Sequence, residues 1–322
     1  MFIGAVAAGI VAAPLAASAQ TASSVRRIGS LDTDDSPTPA EPPGYYYGPL
    51  RALGWVEGRN LLVERRSANG RAELLGPLAE ELVRLKVEII VTGGTAATLA
   101  AKNATTTIPI IIYAAGDPVR SGLVASLSRP GGNITGFSII APEMNAKRLA
   151  LLQELLPGLQ RVGVLARSNN PYFRAVRNEF EQTCRSLGLQ PIIVEVAAAG
   201  ELENAIAELA RQRAQALFVQ SDDLFTDNRV ALMSAALRYA LPTLASGEML
   251  EAGALVSYLP DAAEQNQRTA AFVDRILRGA KPADLPIEQP TKFVLVINLK
   301  AAKVLGITVP QSLLLRADEV IQ

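Results

Sequence analysis

Apolar residues along this chain fall into short blocks separated by stretches of helical spacing. Arg27 to Leu31 reads as a first strand, Asn60 to Glu64 as a second, Val87 to Val91 as a third and Ile108 to Tyr113 as a fourth. Short apolar runs bounded by turn residues suit strands buried on both faces. Between them, Leu50 to Leu53 reads as a helix ending at Gly54. Glu73 to Leu85 places Leu74, Leu75, Leu78, Leu82 and Leu85 on one helical face, and Ala96 to Thr105 is a third helix. The β-α-β-α-β-α-β order predicts a parallel sheet with helices on both faces.

The pattern then restarts. Strands are expected at 161–165, 190–196, 216–220, 242–245 and 254–258, and helices at 172–187, 202–212 and 227–239. Two successive units predict an α/β protein of two doubly wound parallel-sheet lobes joined by a hinge. Gly131, Gly132 and Gly136 fall within six residues, which points to a crossover hinge at Gly132, Gly136 and Phe137; an ordinary glycine-rich loop is the plainer alternative. A helix at 262–277, a proline-rich strip at 281–290, a strand at 293–297 and a helix at 299–305 return after the second unit. The expected lobes are 25–136 plus about 260–282, and 137–259 plus about 283–322.

The length of 322 residues suits two lobes better than one core. Lys+Arg and Asp+Glu are both 31, so no basic excess exists to neutralise phosphates, and nucleic acid is not expected as a partner. The chain has no histidine, which removes Ser-His-Asp and Cys-His chemistry and the commonest metal ligand. Its one cysteine, Cys184, can form neither an internal disulfide nor a thiolate zinc site, and reads as a small buried side chain. No enzyme, metal or cofactor is expected. Met1 to Ala17 is apolar and small, and Ala17-Ser18-Ala19 fits a signal-peptide cleavage site. Export to the periplasm with cleavage after Ala19 is the expectation, although no basic residue precedes Arg26.

Open α/β sheets bind ligands at the carboxyl ends of their strands. Gly94, Thr95 and Ala96 stand there after the third strand, where a helix N-terminus favours a carboxylate. Asp117, after the fourth strand, either caps a helix beginning at Pro118 or faces the cleft. In the second unit Asn169 and Asn170, Ser221 and Asp222, and Ser246 hold matching positions. Each reads equally well as a helix cap; together they form the polar ring that a zwitterionic ligand needs. Tyr46 is a candidate aromatic wall, whereas Trp55 reads as packing.

Longer segments resemble one family. They are 51–60 (Arg-Ala-Leu-Gly-Trp-Val-Glu-Gly-Arg-Asn), 78–83, 116–119 (Gly-Asp-Pro-Val), 121–127, 129–136 (Arg-Pro-Gly-Gly-Asn-Ile-Thr-Gly), 289–293, 296–300 and 316–321. Together they are similar to the ABC transporter substrate-binding proteins related to tryptophan- and tyrosine-binding proteins, across nearly all of 25–322. The resemblance implies a type I periplasmic-binding fold, secretion, and delivery of a small-molecule solute to an ABC permease, a mechanism that needs only a monomer. It also implies that Gly94-Thr95-Ala96 looks like the family's ligand-carboxylate site. The segment Pro42 to Pro49 departs from the family, which more often begins an ordinary amphipathic helix there. A ligand sensor presenting its closed state to a membrane receptor is the alternative reading.

Overall fold

The computed structural model describes residues 25–33, 46–139 and 143–322. The expected signal segment 1–19 lies outside the described residues. The first lobe is built on β1 (Arg26–Asp32), β2 (Leu61–Ser67), β3 (Ile89–Gly93), β4 (Ile110–Ala115) and β5 (Ile134–Ser138). They form one sheet of order β2-β1-β3-β4-β5, parallel throughout. Four consecutive residues of β1, Ile28 to Leu31, are buried, as a strand covered on both faces must be.

One face carries α2 (Leu75–Arg84) and α3 (Gly94–Ala104). Leu75, Ala79 and Leu82 form the buried stripe of α2, and Gly29 lets Leu82 come so close that a Cβ on it would lie 2.9 Å from the leucine. The other face carries α1 (Tyr47–Ala52) and a helix from much later in the chain, numbered α9 below (Ala262–Leu277). Trp55 packs here, with Nε1 donating to Asp274 at 2.8 Å, in line with a packing role.

The second lobe comprises α4 (Glu143–Leu155), β6 (Arg161–Arg167), α5 (Pro171–Ser186), β7 (Gln190–Val196), α6 (Leu202–Arg211), β8 (Ala216–Val219), α7 (Asp223–Asp227), α8 (Arg229–Arg238), β9 (Thr243–Leu244) and β10 (Val256–Pro260). After α9 the chain adds β11 (Phe293–Asn298), α10 (Leu299–Val304), α11 (Gln311–Leu314) and β12 (Glu319–Ile321). The sheet order is β12-β11-β10-β9-β8-β6-β7. Its β7-β6-β8-β9-β10 part repeats the order of the first lobe. The β10–β11 pair is antiparallel, because the returning chain enters the sheet from the opposite end. Cys184 is buried in this core, and burial pushes its thiol up to about 12.

Three differences from the sequence reading have local causes. Residues 134–138, read as part of a flexible junction, form β5: Gly136 takes φ +130°, and a Cβ there would lie 2.4 Å from the Ile112 carbonyl. Helix α4 was not expected, since Asn145 and Arg148 are buried beside Leu149 and Leu152 and break its amphipathic pattern. The helix expected at 227–239 is α8, and the short α7 before it, capped by Asp222 and ending at Asn228, was not expected.

The chain leaves the first sheet after Ser138, returns to that lobe at Asp261 and leaves again after Glu288. Glu288 still exchanges backbone hydrogen bonds with Gly136 and Ser138. Gly136 and Phe137 therefore sit inside β5, and Gly132 sits in the loop before it, rather than in a segment between lobes. The second and third crossings are tied together. Asp261 caps α9 through the Ala263 and Glu264 N–H groups and pairs with Lys292 at 2.5 Å. Glu264 accepts from the Thr291 and Lys292 N–H groups.

Candidate ligand-binding site

In a sheet of order 2-1-3-4-5 the connections diverge between strands one and three, opening a crevice at their carboxyl ends. In the first lobe this crevice lies between β1 and β3. Asp32 ends β1, and its Oδ1 lies so close to Gly93 that a Cβ there would be 2.2 Å away. Ser30 Oγ donates to Asp32 Oδ2 at 2.7 Å. In the second lobe the crevice lies between β6 and β8. Arg167 ends β6, with Nη1 3.3 Å from Asp222 Oδ1, while Asn170 Nδ2 donates to Asp222 Oδ2 at 2.8 Å.

The two carboxyl edges face each other and touch. Arg167 Nη2 donates to the Gly70 carbonyl of the first lobe at 2.7 Å. The Tyr172 ring lies over Gly116, where a Cβ would be 2.2 Å from ring carbons. Ile139 packs on Tyr172 and Val176, and Arg120 pairs with Glu179. Between these contacts Asp117, Asn145 and Tyr172 help to enclose a cavity of about 10 Å³, room for one water. An open groove of about 370 Å³ runs along α2 and α3 and ends against Asn169 and Pro171. Its volume lies within the range of small-molecule sites.

The expected site residues divide into three groups. Gly94 begins α3 with φ +85°, and its predecessor Gly93 has no side chain to cap the helix, so the first-turn N–H groups have no side-chain cap. Thr95 is buried and its Oγ1 accepts from the Gly116 N–H at 3.1 Å, leaving the hydroxyl proton available; Ala96 lines the open groove. These three, with Asn169 on the far wall of the same groove, stand where the two lobes meet.

The second group consists of residues engaged in local structure. Asn170 Oδ1 caps α5, accepting from the Tyr172 and Phe173 N–H groups at 2.9 and 3.1 Å. Asp222 caps α7 through Leu224 N–H at 3.0 Å and is further held by Arg167 and Asn170. Asp117 caps a turn, not a helix, through the Val119 and Arg120 N–H groups at 3.0 Å, and also lines the small interlobe cavity. The helix expected to begin at Pro118 is absent, so Asp117 caps no helix.

The third group makes no side-chain cap among the described residues. Ser221 is exposed. Ser246 Oγ is buried without a hydrogen-bond partner among the described residues. Tyr46 packs into the first-lobe core between the rings of Tyr47 and Tyr113. Burial raises its hydroxyl well above the ordinary tyrosine range.

Sequence reasoning missed Asp32, Arg148, Arg167, Tyr172 and Gln220. Arg167 ends β6 and Gln220 follows the last residue of β8, but long polar side chains there carry no motif. Both are buried, and Arg167 Nε and Gln220 Nε2 lack partners among the described residues. Arg148 is buried on α4.

Two α/β lobes of repeated strand order, meeting carboxyl edge to carboxyl edge, define a two-lobed ligand-binding protein of the periplasmic-binding type. The chain belongs to the ABC transporter substrate-binding protein family, which it matches over residues 46–321. It is 26% identical over 257 residues to the tyrosine-binding protein of Clostridioides difficile (strain R20291), covering 80% of this chain and 74% of that one. A conserved domain protein of Vibrio cholerae is 25% identical with a TM-score of 0.85, over 92% of this chain and 99% of the other. An ABC domain from Streptococcus pneumoniae in complex with L-Trp is 26% identical with a TM-score of 0.84, over 92% and 100%. Fold and family agree with the resemblance read from the sequence. No helix among the described residues is long and apolar enough to cross a membrane.

Proposed function

We propose that the protein captures a small carboxylate-bearing ligand, an amino acid or an aromatic acid, in the cleft between its lobes. The observation that carries this reading is the uncapped N-terminus of α3 beside Thr95, at an edge where the two lobes are already in contact. Backbone N–H groups and the helix dipole there favour an anion. The tyrosine- and tryptophan-binding relatives support an amino acid as the ligand. Thr95 and the Ala96 N–H receive the carboxylate in this reading.

The mechanism is closure. Ligand docks on one lobe, the other lobe completes the site, and the closed form is favoured by as much as the ligand binds it better than the open form. Export to the periplasm, cleavage after Ala19, movement about the three crossings and delivery of the ligand by a monomer to an ABC permease complete the proposal.

The test is a thermal-shift screen of residues 20–322, stripped of ligand by unfolding and refolding, against L-tryptophan, L-tyrosine, benzoate, sugars and nucleosides. A ligand at a hundred times its Kd stabilises the fold by about 2.7 kcal/mol. A shift confined to the carboxylates supports the reading. Shifts with sugars or nucleosides alone would replace it.

A further inference from the structure

Arg148 lies on α4 with 6% of its surface exposed, and Nε donates to the Tyr258 carbonyl at 2.8 Å. No carboxylate pairs with it among the described residues; the charged or titratable groups acting on it are the hydroxyls of Tyr172 and Tyr258. Burial pulls it down to about 10, so it still carries its charge at pH 7. A buried charge without a partner is expensive to keep, and such groups gather at functional sites.

A second observation points to the same place. β8 pairs Phe218 with Leu244 of β9, and β9 pairs Leu244 with Val256 of β10. Two residues further on, Tyr258 points to that same face of β10, while Gln220 and Ser246 stand just past the carboxyl ends of β8 and β9. That face is the one covered by α4 and α5, because Phe218, Leu244 and Val256 share a core with Leu152 and Phe173. Gln220 Nε2 and Ser246 Oγ at these strand ends are buried and unpartnered among the described residues. A guanidinium, an amide N–H and a hydroxyl are all donors, and together they suit an anionic acceptor.

Contacts link these strand ends to the first lobe. Tyr172 interacts with Asn145, one turn before Arg148, and its ring covers Gly116, whose N–H is held by Thr95. We infer that Arg148, with Gln220 and Ser246, is the second lobe's seat for the ligand carboxylate, facing the N-terminus of α3. The inference rests on the carboxylate-capture reading above and names the residues that complete it. One carboxylate held from both lobes favours the closed form specifically.

The test compares each acid with its decarboxylated partner by calorimetry: L-tryptophan with tryptamine, and L-tyrosine with tyramine. Wild type prefers the acid by about 100-fold, as a site built to bond a polar group rejects an analogue lacking it. Arg148→Met reduces that preference to about tenfold or less, and Arg148→Lys restores part of it. Should Arg148→Met fail to fold, the Gln220→Leu/Ser246→Ala variant decides, with an expected loss of about tenfold in the same ratio. Folded variants that keep the wild-type ratio overturn the seat and leave ligand capture standing. Wild-type protein that binds the amines as tightly as the acids also overturns it. Wild-type protein that binds neither these acids nor benzoate overturns the functional reading, and the seat with it.

Discussion

Arg167 of the second lobe donates Nη2–H to the Gly70 carbonyl of the first at 2.7 Å, while its Nη1 lies 3.3 Å from Asp222 in its own lobe. Asp222 holds the guanidinium in place, and the guanidinium holds the other lobe. The bond exists only when the lobes are together, so it acts on the open–closed equilibrium and not on the fold of either lobe. A hydrogen bond from a charged donor contributes about 1.5–3 kcal/mol. Arg167→Met is therefore expected to weaken ligand binding by about 10- to 100-fold, mainly through faster dissociation. Stopped-flow kinetics checks this; an unchanged off-rate in a folded variant refutes the latch.

Gly116 lies beneath the Tyr172 ring with no room for a methyl group, since an added Cβ would be 2.2 Å from ring carbons. Its three nearest neighbours all belong to Tyr172, so a Cβ clashes across the lobe interface first of all. Gly116→Ala is expected to fold but to resist closure. Small-angle scattering should show no compaction when a ligand that compacts wild type is added. Adding Tyr172→Ala should restore compaction, and failure to do so would point to damage inside the first lobe.

Gly136 in β5 behaves oppositely, because the backbone of β4 occupies the space a side chain would need. Its φ of +130° is also strained for any other residue. Gly136→Ala should destabilise the first lobe by about 3 kcal/mol or more. Denaturant unfolding measures this, and a loss under about 1 kcal/mol would mean that the strand relaxes easily.

Asp261 is held below the usual carboxylate range first by Lys292 and then by the N–H groups it caps; Glu264 is lowered chiefly by its bond from Thr291. A lowered folded pKa contributes stability that is present above the unfolded value and is lost as pH falls through the folded one. The tie between the second and third crossings should therefore weaken below about pH 4. Asp261→Asn should flatten the fall of melting temperature over that acid range. An unchanged slope would show that the exposed Lys292 leaves the pair screened by solvent.

Most strands and helices were legible because each buries a short apolar run or a single helical stripe. The first-strand Ile28 and Leu31 and the α2 stripe Leu75–Ala79–Leu82 are of this kind. Among the elements that escaped, α4 and β5 are those whose packing conflicts with the usual pattern. α4 carries buried Asn145 and Arg148 on the face where a helix normally shows leucine. β5 carries Gly136, whose freedom reads as a loop until the neighbouring backbone is seen to need it. Thr95 and Ala96 were placed correctly at a strand's carboxyl end, while Asp32 and Arg167 at equivalent ends were passed over because single charged residues carry no motif.

The sequence by itself determined the two repeated α/β units, the family and the small-residue turn that begins α3, since all of these depend on local spacing and on residue types at adjacent positions. Only the tertiary structure decided that α9 covers the first lobe's sheet although it follows the second lobe in the chain. It alone brought Arg167 to Gly70 and Tyr172 to Gly116, and paired β9 with β8 and β10, whose neighbouring ends carry Ser246 and Gln220. An amphipathic helix specifies that it must bury a face but not which sheet will cover it, and a polar side chain's partner is set by distances between strands far apart in sequence.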